Sequence, residues 1–287
     1  MPYLPAEGSG LASHAARVNG VRLHWVEAGE GPPVVLLHGF PELWYAWRYQ
    51  IPVLAGAGYR VIAPDLRGYN ASDRPSGISS YRLSVLVDDM VGLLEALGTG
   101  PVPWVGHDWG GVVAWHLAMR HGDAVERLAI LNAPHPALFQ RALRGSLSQM
   151  LRSSYAGLFQ LPWLPEAVMT AGDRAVLRRM LRAGPAPGDA ELAAYLEAFA
   201  DRAALTGPVH YYRAALRRPP PRPLPISRPT LVIWGDRDPY LLPGLTEGLE
   251  GWVEDLRVRH LPDAGHWLHQ RNADEVNEIL LGFLETG

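Results

Sequence analysis

The chain has 287 residues, of which 48% are hydrophobic and 19% are charged, and its formal net charge is −3. This length suits one large hydrophobic core with an inserted subdomain, and the charge excludes the broad basic field that a nucleic-acid partner requires. The absence of cysteine excludes disulfides, thiolate metal sites and cysteine nucleophiles. From its first residues onward the chain shows neither a signal-peptide pattern nor an apolar run near the ~20 residues that span a bilayer. We therefore expect a cytoplasmic protein without a nucleic-acid or membrane partner.

Short apolar runs alternate with amphipathic segments through the first 134 residues. Apolar residues at three- and four-residue spacing predict a helix over residues 80–97, which Gly98 ends, and a second helix is expected over residues 111–120. Continuous apolar strands separated by helices indicate a mostly parallel sheet that helices cover on both faces. The predicted strands of this part are residues 34–37, 61–63, 102–105 and 128–131.

The alternation stops between residues 135 and 222, where the pattern predicts helices only. Segments rich in proline interrupt these helices at residues 183–188 and end them at residues 217–223. A polyproline ligand for a partner domain is one interpretation of the second segment. A stiff connector is the better interpretation, because a strand follows at once.

The alternating pattern then resumes and completes the chain. Its elements are a strand at residues 230–234, a helix near residues 244–251, a strand at residues 256–261 and a helix at residues 273–285. We therefore predict an α/β core formed by residues 1–134 and 223–287, with an all-helical insertion at residues 135–222.

The motif Gly106-His107-Asp108-Trp109-Gly110 lies directly between a predicted strand and a predicted helix. Small residues on both sides of a strained turn are typical of a nucleophile elbow, which lifts one side chain above the sheet. Glycine is needed there because a Cβ would collide with the neighbouring helix or strand. An ordinary turn in which Asp108 caps the helix is the alternative. The first interpretation makes the Asp108 carboxylate a nucleophile.

A carboxylate nucleophile favours one type of reaction. Its attack on an ester would only form a labile anhydride, whereas its attack on a saturated carbon displaces a leaving group and forms an alkyl ester. Water must then hydrolyse that ester at its carboxyl carbon, which requires a general base and an oxyanion hole. The sequence must therefore supply a histidine, an acid that orients it, and N–H donors near Asp108.

An acid and a histidine follow the elbow in the chain order of the α/β-hydrolases. His266 lies in the loop after the strand at residues 256–261, at the edge where ligands bind in open α/β sheets. His260 and His269 are its rivals, but the first ends a strand pattern and the second lies in a helical turn. Asp238 is the preferred acid because it lies deeper in its loop, and Asp236 is expected to cap the turn.

A second glycine-containing loop follows the predicted strand at residues 34–37. In the run His38-Gly39-Phe40-Pro41, the glycine and the proline can bring the backbone N–H of Phe40 beside the elbow. We expect the backbone N–H of Trp109 to be the second donor of the oxyanion hole.

Longer segments around these motifs resemble the soluble epoxide hydrolase family. Residues 38–48 match the signature of that family almost letter for letter, and residues 63–69, 106–111 and 131–136 are similar to it as well. The similarity runs through nearly the whole chain and weakens within the helical insertion. It implies an α/β-hydrolase fold with an all-helical cap over the active site, a small hydrophobic epoxide and water as reactants, and neither a metal nor an organic cofactor.

The resemblance also implies that the cap supplies two tyrosines, which hydrogen-bond the epoxide oxygen. Residues 154–162 are similar to the first tyrosine segment and assign this role to Tyr155, whereas residues 209–213 resemble the second and point to Tyr212. Tyr211 is a rival, because this segment departs from the usual pattern of the family. Adjacent helical residues point ~100° apart, so only one of the pair is expected to face the site.

These roles together predict an epoxide hydrolase. Asp108 forms the alkyl ester, His266 oriented by Asp238 activates the water that hydrolyses it, and a vicinal diol results. The cap places apolar side chains beside the first tyrosine, so we expect a hydrophobic pocket. Its predicted lining comprises Phe40, Pro41, Trp109, Leu158, Phe159, Trp163 and Trp267.

Two other classes are alternatives. A haloalkane or haloacid dehalogenase shares the carboxylate nucleophile, and the indole N–H of Trp109 suits a halide. Against this class, one dehalogenase group has asparagine in place of Phe40, and a halide needs no tyrosine pair. The fluoroacetate dehalogenases also carry arginines where this chain has Trp109 and Val112. A non-catalytic ligand-binding homologue is disfavoured by the intact set of nucleophile, acid and histidine. The sequence allows a homo-oligomer.

Overall fold

The structure is a computed structural model that describes residues 2–183, 188–218 and 222–285. In these ranges eight strands form one sheet: β1 (Ala12–Val18), β2 (Val21–Ala28), β3 (Pro33–Leu37), β4 (Arg60–Asp65), β5 (Val102–His107), β6 (Val125–Leu131), β7 (Thr230–Gly235) and β8 (Leu256–Leu261). Their order is β1-β2-β4-β3-β5-β6-β7-β8. All pairs from β4 to β8 are parallel, and β1 and β2 join the edge through antiparallel pairing.

Helices alternate with these strands along the chain and pack on both faces of the sheet. The core helices are α1 (Ile51–Gly56), α2 (Leu83–Leu97) and α3 (Trp109–Arg120), followed after β8 by α10 (Leu268–Arg271) and α11 (Ala273–Glu285). Between β6 and β7 lie α4 (Pro136–Gly145), α5 (Leu147–Arg152), α6 (Tyr155–Leu158), α7 (Leu164–Ala183), α8 (Asp189–Ala198) and α9 (Arg202–Arg217). Within the described ranges, no helix is both long and apolar enough to cross a membrane.

Most predicted elements are confirmed, with two differences. The predicted helix near residues 244–251 is two 3₁₀ segments, Pro243–Thr246 and Leu249–Gly251, because Gly248 between them has a φ of +91° that an α-helix does not contain. The hairpin of β1 and β2 was not predicted, since β1 is largely exposed and carries no apolar run. The proline-rich interruptions predicted in the insertion include residues 184–187 and 219–221, which lie outside the described residues.

Strand β5 lies near the centre of the sheet and positions the elbow. All six of its residues are buried, because strands and helices cover them on both sides. The loops after β3, β5, β7 and β8 leave the sheet at the same edge, since these strands are parallel, and ligands bind at this edge in open α/β sheets. The inserted helices pack over it, and the ring of Tyr212 on α9 lies 5.1 Å from that of Trp109 on α3.

Candidate active site

Asp108 occupies the turn between β5 and α3. Its backbone has a φ of +49° and a ψ of −119°, a strained combination that non-glycine residues rarely adopt. A Cβ on Gly106 would lie 2.7 Å from the backbone of Gly110 and Gly111, and a Cβ on Gly110 would overlap the carbonyl of Leu37. The Asp108 side chain makes no capping hydrogen bond to α3. This geometry agrees with the nucleophile elbow and disagrees with a helix cap.

Two groups that the sequence placed near Asp108 approach its carboxylate. The backbone N–H of Phe40 donates to Oδ1 at 2.8 Å, and Nε2 of His266 lies 3.6 Å from Oδ2. Trp109, whose N–H is the expected second donor, begins α3 directly after the nucleophile. An N–H in the position of Phe40 faces an oxygen that would become negative when water attacks an ester of this carboxylate.

His266 is held by Asp238 in a buried pair. Its Nδ1 lies 2.6 Å from Oδ2 of Asp238, which also accepts a hydrogen bond from the Asn132 amide. The other carboxylate oxygen, Oδ1, accepts from the backbone N–H groups of Tyr240 and Leu241. Burial would raise the pKa of Asp238, but the charge of His266 and these hydrogen bonds lower it. Asp238 therefore stays ionised and holds the ring with Nε2 toward Asp108.

The pKa of His266 depends on both nearby carboxylates. Burial alone would lower this pKa, but the charges of Asp238 and Asp108 and their hydrogen bonds to the ring raise it to about 10. The ring is therefore protonated at neutral pH while both carboxylates are charged. Conversion of Asp108 into a neutral ester would remove one of these charges and lower the pKa of His266.

The rival acid and histidines lie elsewhere. Asp236, which was expected to cap the turn, pairs instead with Nδ1 of His260 at 2.6 Å, and both side chains are partly exposed. His269 is fully buried and lies against Glu42. These contacts leave the predicted acid and histidine as the pair beside the nucleophile.

Glu42, His107 and His269 form a buried cluster that the sequence did not reveal. Glu42 Oε2 lies 2.8 Å from His107 Nδ1, and its Oε1 lies 3.4 Å from His269 Nε2. Burial raises the pKa of Glu42, but the two histidines hold it well below its usual range. The ligand atoms lie within 4.8 Å of one another, a spacing compatible with a metal ion. Their mutual contacts already use these atoms, and His107 Nε2 lies 2.9 Å from the backbone carbonyl oxygen of His266, so the cluster supports the histidine loop.

Tyr155 and Tyr212 line the same cavity as Asp108. Their rings pack edge to face with centroids 5.8 Å apart. Burial raises the pKa of both phenols, and the charge of Asp108 contributes, so both stay protonated and can donate. Tyr211 also lines the cavity, but its hydroxyl donates to the backbone carbonyl of Arg67 at 2.8 Å. That bond commits the Tyr211 hydroxyl to the backbone, whereas the Tyr212 hydroxyl hydrogen-bonds Tyr155 and the indole of Trp109 in the cavity wall.

Arg213 ties together the two segments that carry these tyrosines. It lies on α9 beside Tyr212, is 4% exposed, and donates to the backbone carbonyls of Phe159 and Leu161 at 2.9 and 2.7 Å. Its guanidinium also binds both carboxylate oxygens of Glu166 at 2.6 and 3.0 Å. The turn that follows Tyr155 is therefore fixed against α9, which sets the spacing of the two hydroxyls.

A cavity of about 650 Å³ lies between the sheet edge and the inserted helices. Much of the cavity wall was not predicted from the sequence. The helical spacing could have indicated it, because Val112 lies three residues after Trp109 and Leu143 lies four after Phe139, so that each pair shares a helix face. Most of the wall is apolar, including Val112, Pro134, Pro136, Phe139, Leu143 and Leu241. The cavity therefore suits a hydrophobic ligand.

Most of the predicted pocket residues lie near this cavity, and only one of them lines it. Trp109 is part of the lining. Phe40 and Phe159 lie behind it and pack against the ring of Tyr212 at 5.4 and 4.9 Å. Trp267 is buried beside His266 and lies outside the lining, and Pro41 is also buried outside it. These four residues support the lining and do not form it.

Leu158 and Trp163 differ more from the prediction. Both were expected in the pocket, but they are 46% and 66% exposed and lie outside the lining. The single turn of α6 directs Tyr155 and Phe159, four residues apart, toward the interior and leaves Leu158 outside, whereas Trp163 lies beyond this turn and has a φ of +53°. The remaining large side chains of this segment then face the surface.

Comparisons with known proteins agree with this geometry. The α/β-hydrolase fold family matches residues 32–273. An AB hydrolase superfamily protein from Bacillus subtilis is 38% identical over 284 residues, which cover 96% of this chain and 99% of the relative. Epoxide hydrolase 4 from Homo sapiens is 37% identical over 278 residues, which cover 93% of this chain and 76% of the relative.

Solved structures of epoxide hydrolases are also similar to this chain. A variant of an epoxide hydrolase from Bacillus megaterium, in complex with its product (R)-3-[1]naphthyloxy-propane-1,2-diol, has a TM-score of 0.88 and 31% identity, with 95% of this chain and 100% of that chain covered. An epoxide hydrolase from Vigna radiata has a TM-score of 0.84 and 28% identity, with coverages of 99% and 100%. The chain therefore belongs to the α/β-hydrolase fold family and, within it, to the epoxide hydrolases.

Proposed function

We propose that this protein converts hydrophobic epoxides to vicinal diols through a covalent alkyl ester on Asp108. The observation that carries the proposal is the meeting of three groups in one cavity: a carboxylate nucleophile, a histidine paired with an acid, and two buried phenols. In this assignment Asp108 is the nucleophile, His266 and Asp238 act on water, and Tyr155 and Tyr212 act on the epoxide oxygen.

Ring opening requires a nucleophile and hydrogen-bond donors on opposite sides of one C–O bond. Asp108 attacks a ring carbon from the elbow and forms the ester as that bond breaks. The epoxide oxygen becomes a strongly basic alkoxide, so it is a poor leaving group without donors. Because burial keeps Tyr155 and Tyr212 protonated, they can donate to this oxygen as its charge develops.

Hydrolysis of the ester uses the other half of the site. The ester is neutral, so the pKa of His266 falls once ring opening is complete, and the proton that the ring gives up replaces the one that the epoxide oxygen takes from a tyrosine. Water attacks the carboxyl carbon of the ester, the Nε2 atom of His266 accepts its proton, and the backbone N–H of Phe40 stabilises the negative oxygen. The bond from the carboxyl carbon to the alkyl oxygen then breaks, that oxygen takes the proton from the imidazolium, the diol leaves, and the carboxylic acid of Asp108 returns its proton to His266. The histidine thus becomes a base at the step that needs one, while Asp238 stabilises the imidazolium that forms.

The two half-reactions divide between two parts of the chain in this proposal. Residues 135–222 act as a cap that carries both tyrosines, and residues 1–134 and 223–287 act as the core that carries the nucleophile, the acid and the histidine. The bound product of the Bacillus megaterium relative is an aryloxy-substituted vicinal diol. The apolar cavity of about 650 Å³ supports aryl or alkyl epoxides of comparable size as substrates here.

A labelling experiment tests the covalent step. A single turnover of styrene oxide in heavy-oxygen water should place label in the peptide that contains Asp108, because the water oxygen enters the carboxyl group before leaving in later turnovers. The variant Asp236→Asn, which changes a surface acid of the neighbouring loop, should label equally. Label that appears only in the diol would contradict the proposal.

A substrate comparison separates the alternative reactions. The same protein is incubated with styrene oxide and with a bromoalkane, and diol and bromide are measured. We expect diol without bromide. Bromide release alone would indicate a dehalogenase, and neither product would indicate a ligand-binding homologue.

A further inference from the structure

Helix α5 has its polar and apolar residues in the reverse of the usual arrangement. Gln149 is fully buried, and its side-chain amide bonds to the backbone of the loop that follows β7. Leu147 and Leu151 are 69% and 65% exposed, and Met150 is exposed as well. Apolar side chains at this spacing share one helix face, which normally packs on the core. Here that face points into solvent.

This apolar face borders the mouth of the cavity. The exposed members of the cavity lining mark the mouth, and they include Arg144, Met150, Leu216 and Arg218. Met150 therefore belongs to both the mouth and the exposed face of α5. Contiguous exposed apolar side chains rimmed by polar groups are typical of interaction surfaces.

Arginines surround the same region. A surface cleft lined by Arg141, Arg144 and Arg222 adjoins the cavity, because Gln140 and Arg144 line both. Among the described residues, the salt bridges made by arginines involve none of Arg144, Arg218 and Arg222. The inserted segment from residue 135 to residue 222 contains 12 arginines and 6 acidic residues, a formal charge of +6, whereas the rest of the chain carries −9.

We propose that this mouth surface, formed by the exposed face of α5, Leu216 and the surrounding arginines, docks on an anionic lipid surface. Apolar side chains at the centre suit insertion among acyl chains, and arginines at the rim suit contact with anionic headgroups. A second copy of the chain is a poorer occupant, because a symmetric contact would bring like-charged rims together. The sequence predicted no membrane partner because it contains no segment that could span a bilayer. Docking on the lipid surface does not require such a segment.

The benefit of this docking to catalysis rests on the proposed function. A hydrophobic epoxide partitions into lipid, and a mouth that lies on the lipid surface gives it a direct path to Asp108. The docking itself depends only on the apolar face and the arginines, so it can be tested without turnover.

Vesicle co-sedimentation tests the docking. The full chain is mixed with vesicles of pure phosphatidylcholine or of equal parts phosphatidylcholine and phosphatidylglycerol, at low and high salt. We expect binding to the anionic vesicles that weakens as salt rises, because salt screens the arginines. Equal binding to neutral vesicles, or no binding to anionic vesicles at low salt, would overturn the proposal.

Two double variants locate the surface. Leu147→Ser with Leu151→Ser should weaken binding at least about tenfold, and Arg144→Gln with Arg222→Gln should weaken it by about thirtyfold, since each arginine near an anionic surface contributes about fivefold. The control pairs Val176→Ser with Arg179→Gln, an exposed valine and arginine of α7, and should bind as the wild type does. Equal losses in the control would overturn the assignment to this surface.

Two further measurements separate the other outcomes. Turnover of a water-soluble epoxide without vesicles should be unchanged in the Leu147→Ser, Leu151→Ser variant, which shows that it is folded. If wild-type turnover is absent while vesicle binding persists, the proposed function fails and the docking stands. If sedimentation velocity shows a dimer that the leucine variant dissociates, and vesicles do not bind, the occupant is a second copy and the lipid proposal is wrong.

Discussion

The two half-reactions should respond to pH in different ways, because the pKa of His266 changes between them. In the free enzyme this pKa is about 10, so the ring is protonated throughout the neutral range. Ring opening needs the carboxylate of Asp108 and the protonated tyrosines but no neutral imidazole, so it proceeds in that state. Ester hydrolysis needs the neutral ring, because a protonated imidazole cannot accept a proton from water.

The distance between the two groups sets the size of the change. His266 Nε2 lies 3.6 Å from Asp108 Oδ2, and at an effective dielectric constant of ~20 this charge stabilises the imidazolium by about 4–5 kcal/mol. Esterification removes that charge, and since one pKa unit corresponds to about 1.4 kcal/mol, the pKa of His266 returns toward its ordinary range. Below the lowered pKa, the rate of hydrolysis should fall about tenfold for each pH unit.

The covalent adduct should therefore accumulate in acid. Enzyme is mixed with excess epoxide between pH 5 and pH 9, quenched at steady state, and weighed intact by mass spectrometry. We expect a large adduct fraction at pH 5 that declines as pH rises, in the wild type and in the Asp236→Asn control alike. An adduct fraction that is independent of pH, or that rises with pH, would refute this account of His266.

Three other outcomes follow from the site. Tyr155→Phe or Tyr212→Phe should slow ring opening by up to about 10²–10⁴-fold and leave ester hydrolysis unchanged, as measured by stopped-flow tryptophan fluorescence. Tyr211→Phe is the control, and slower ring opening in this variant alone would assign the role to Tyr211 instead of Tyr212. Arg213→Met should cost about 3–5 kcal/mol in chemical denaturation because it leaves a buried carboxylate unpaired. Adding Glu166→Met should recover the part of this loss that the unpaired carboxylate causes, but not the rate of ring opening. If the double variant recovered the rate of ring opening, Arg213 would only stabilise the fold and would not position the tyrosines. Gly106→Ala should destabilise the fold by at least about 1–3 kcal/mol, because its Cβ meets backbone atoms at 2.7 Å, and an unchanged denaturation midpoint would contradict this.

The positions of Asp108 in a strand-to-helix turn and of His266 beside it could be predicted from the sequence because local patterns mark them. Asp108 lies in a glycine-flanked run between a strand and a helix, and His266 follows a strand in the expected chain order. The choice between Tyr211 and Tyr212 could not be made in the same way. It depends on a hydrogen bond from Tyr211 to the carbonyl of Arg67, 144 residues away in the chain.

The remaining misses have similar physical causes. Glu42 lies in the loop after β3, His107 ends β5 and His269 lies in α10, so they meet only in the folded sheet and no spacing in the sequence indicates their cluster. Leu158 and Trp163 are large and apolar, which favours burial in general. Their direction is decided by the local backbone conformation, and composition carries no information about that direction.

The placement of the tyrosines on the inserted helices has an evolutionary consequence. The part of the chain that cleaves the ester is independent of what the ester was made from, since every substrate reaches the same intermediate on the elbow. Selection can therefore remodel the insertion between β6 and β7 and change which electrophile is accepted, while the hydrolytic groups of the core are kept. Changes between residues 135 and 222 can therefore alter the substrate range, together with changes in the core residues that line the cavity.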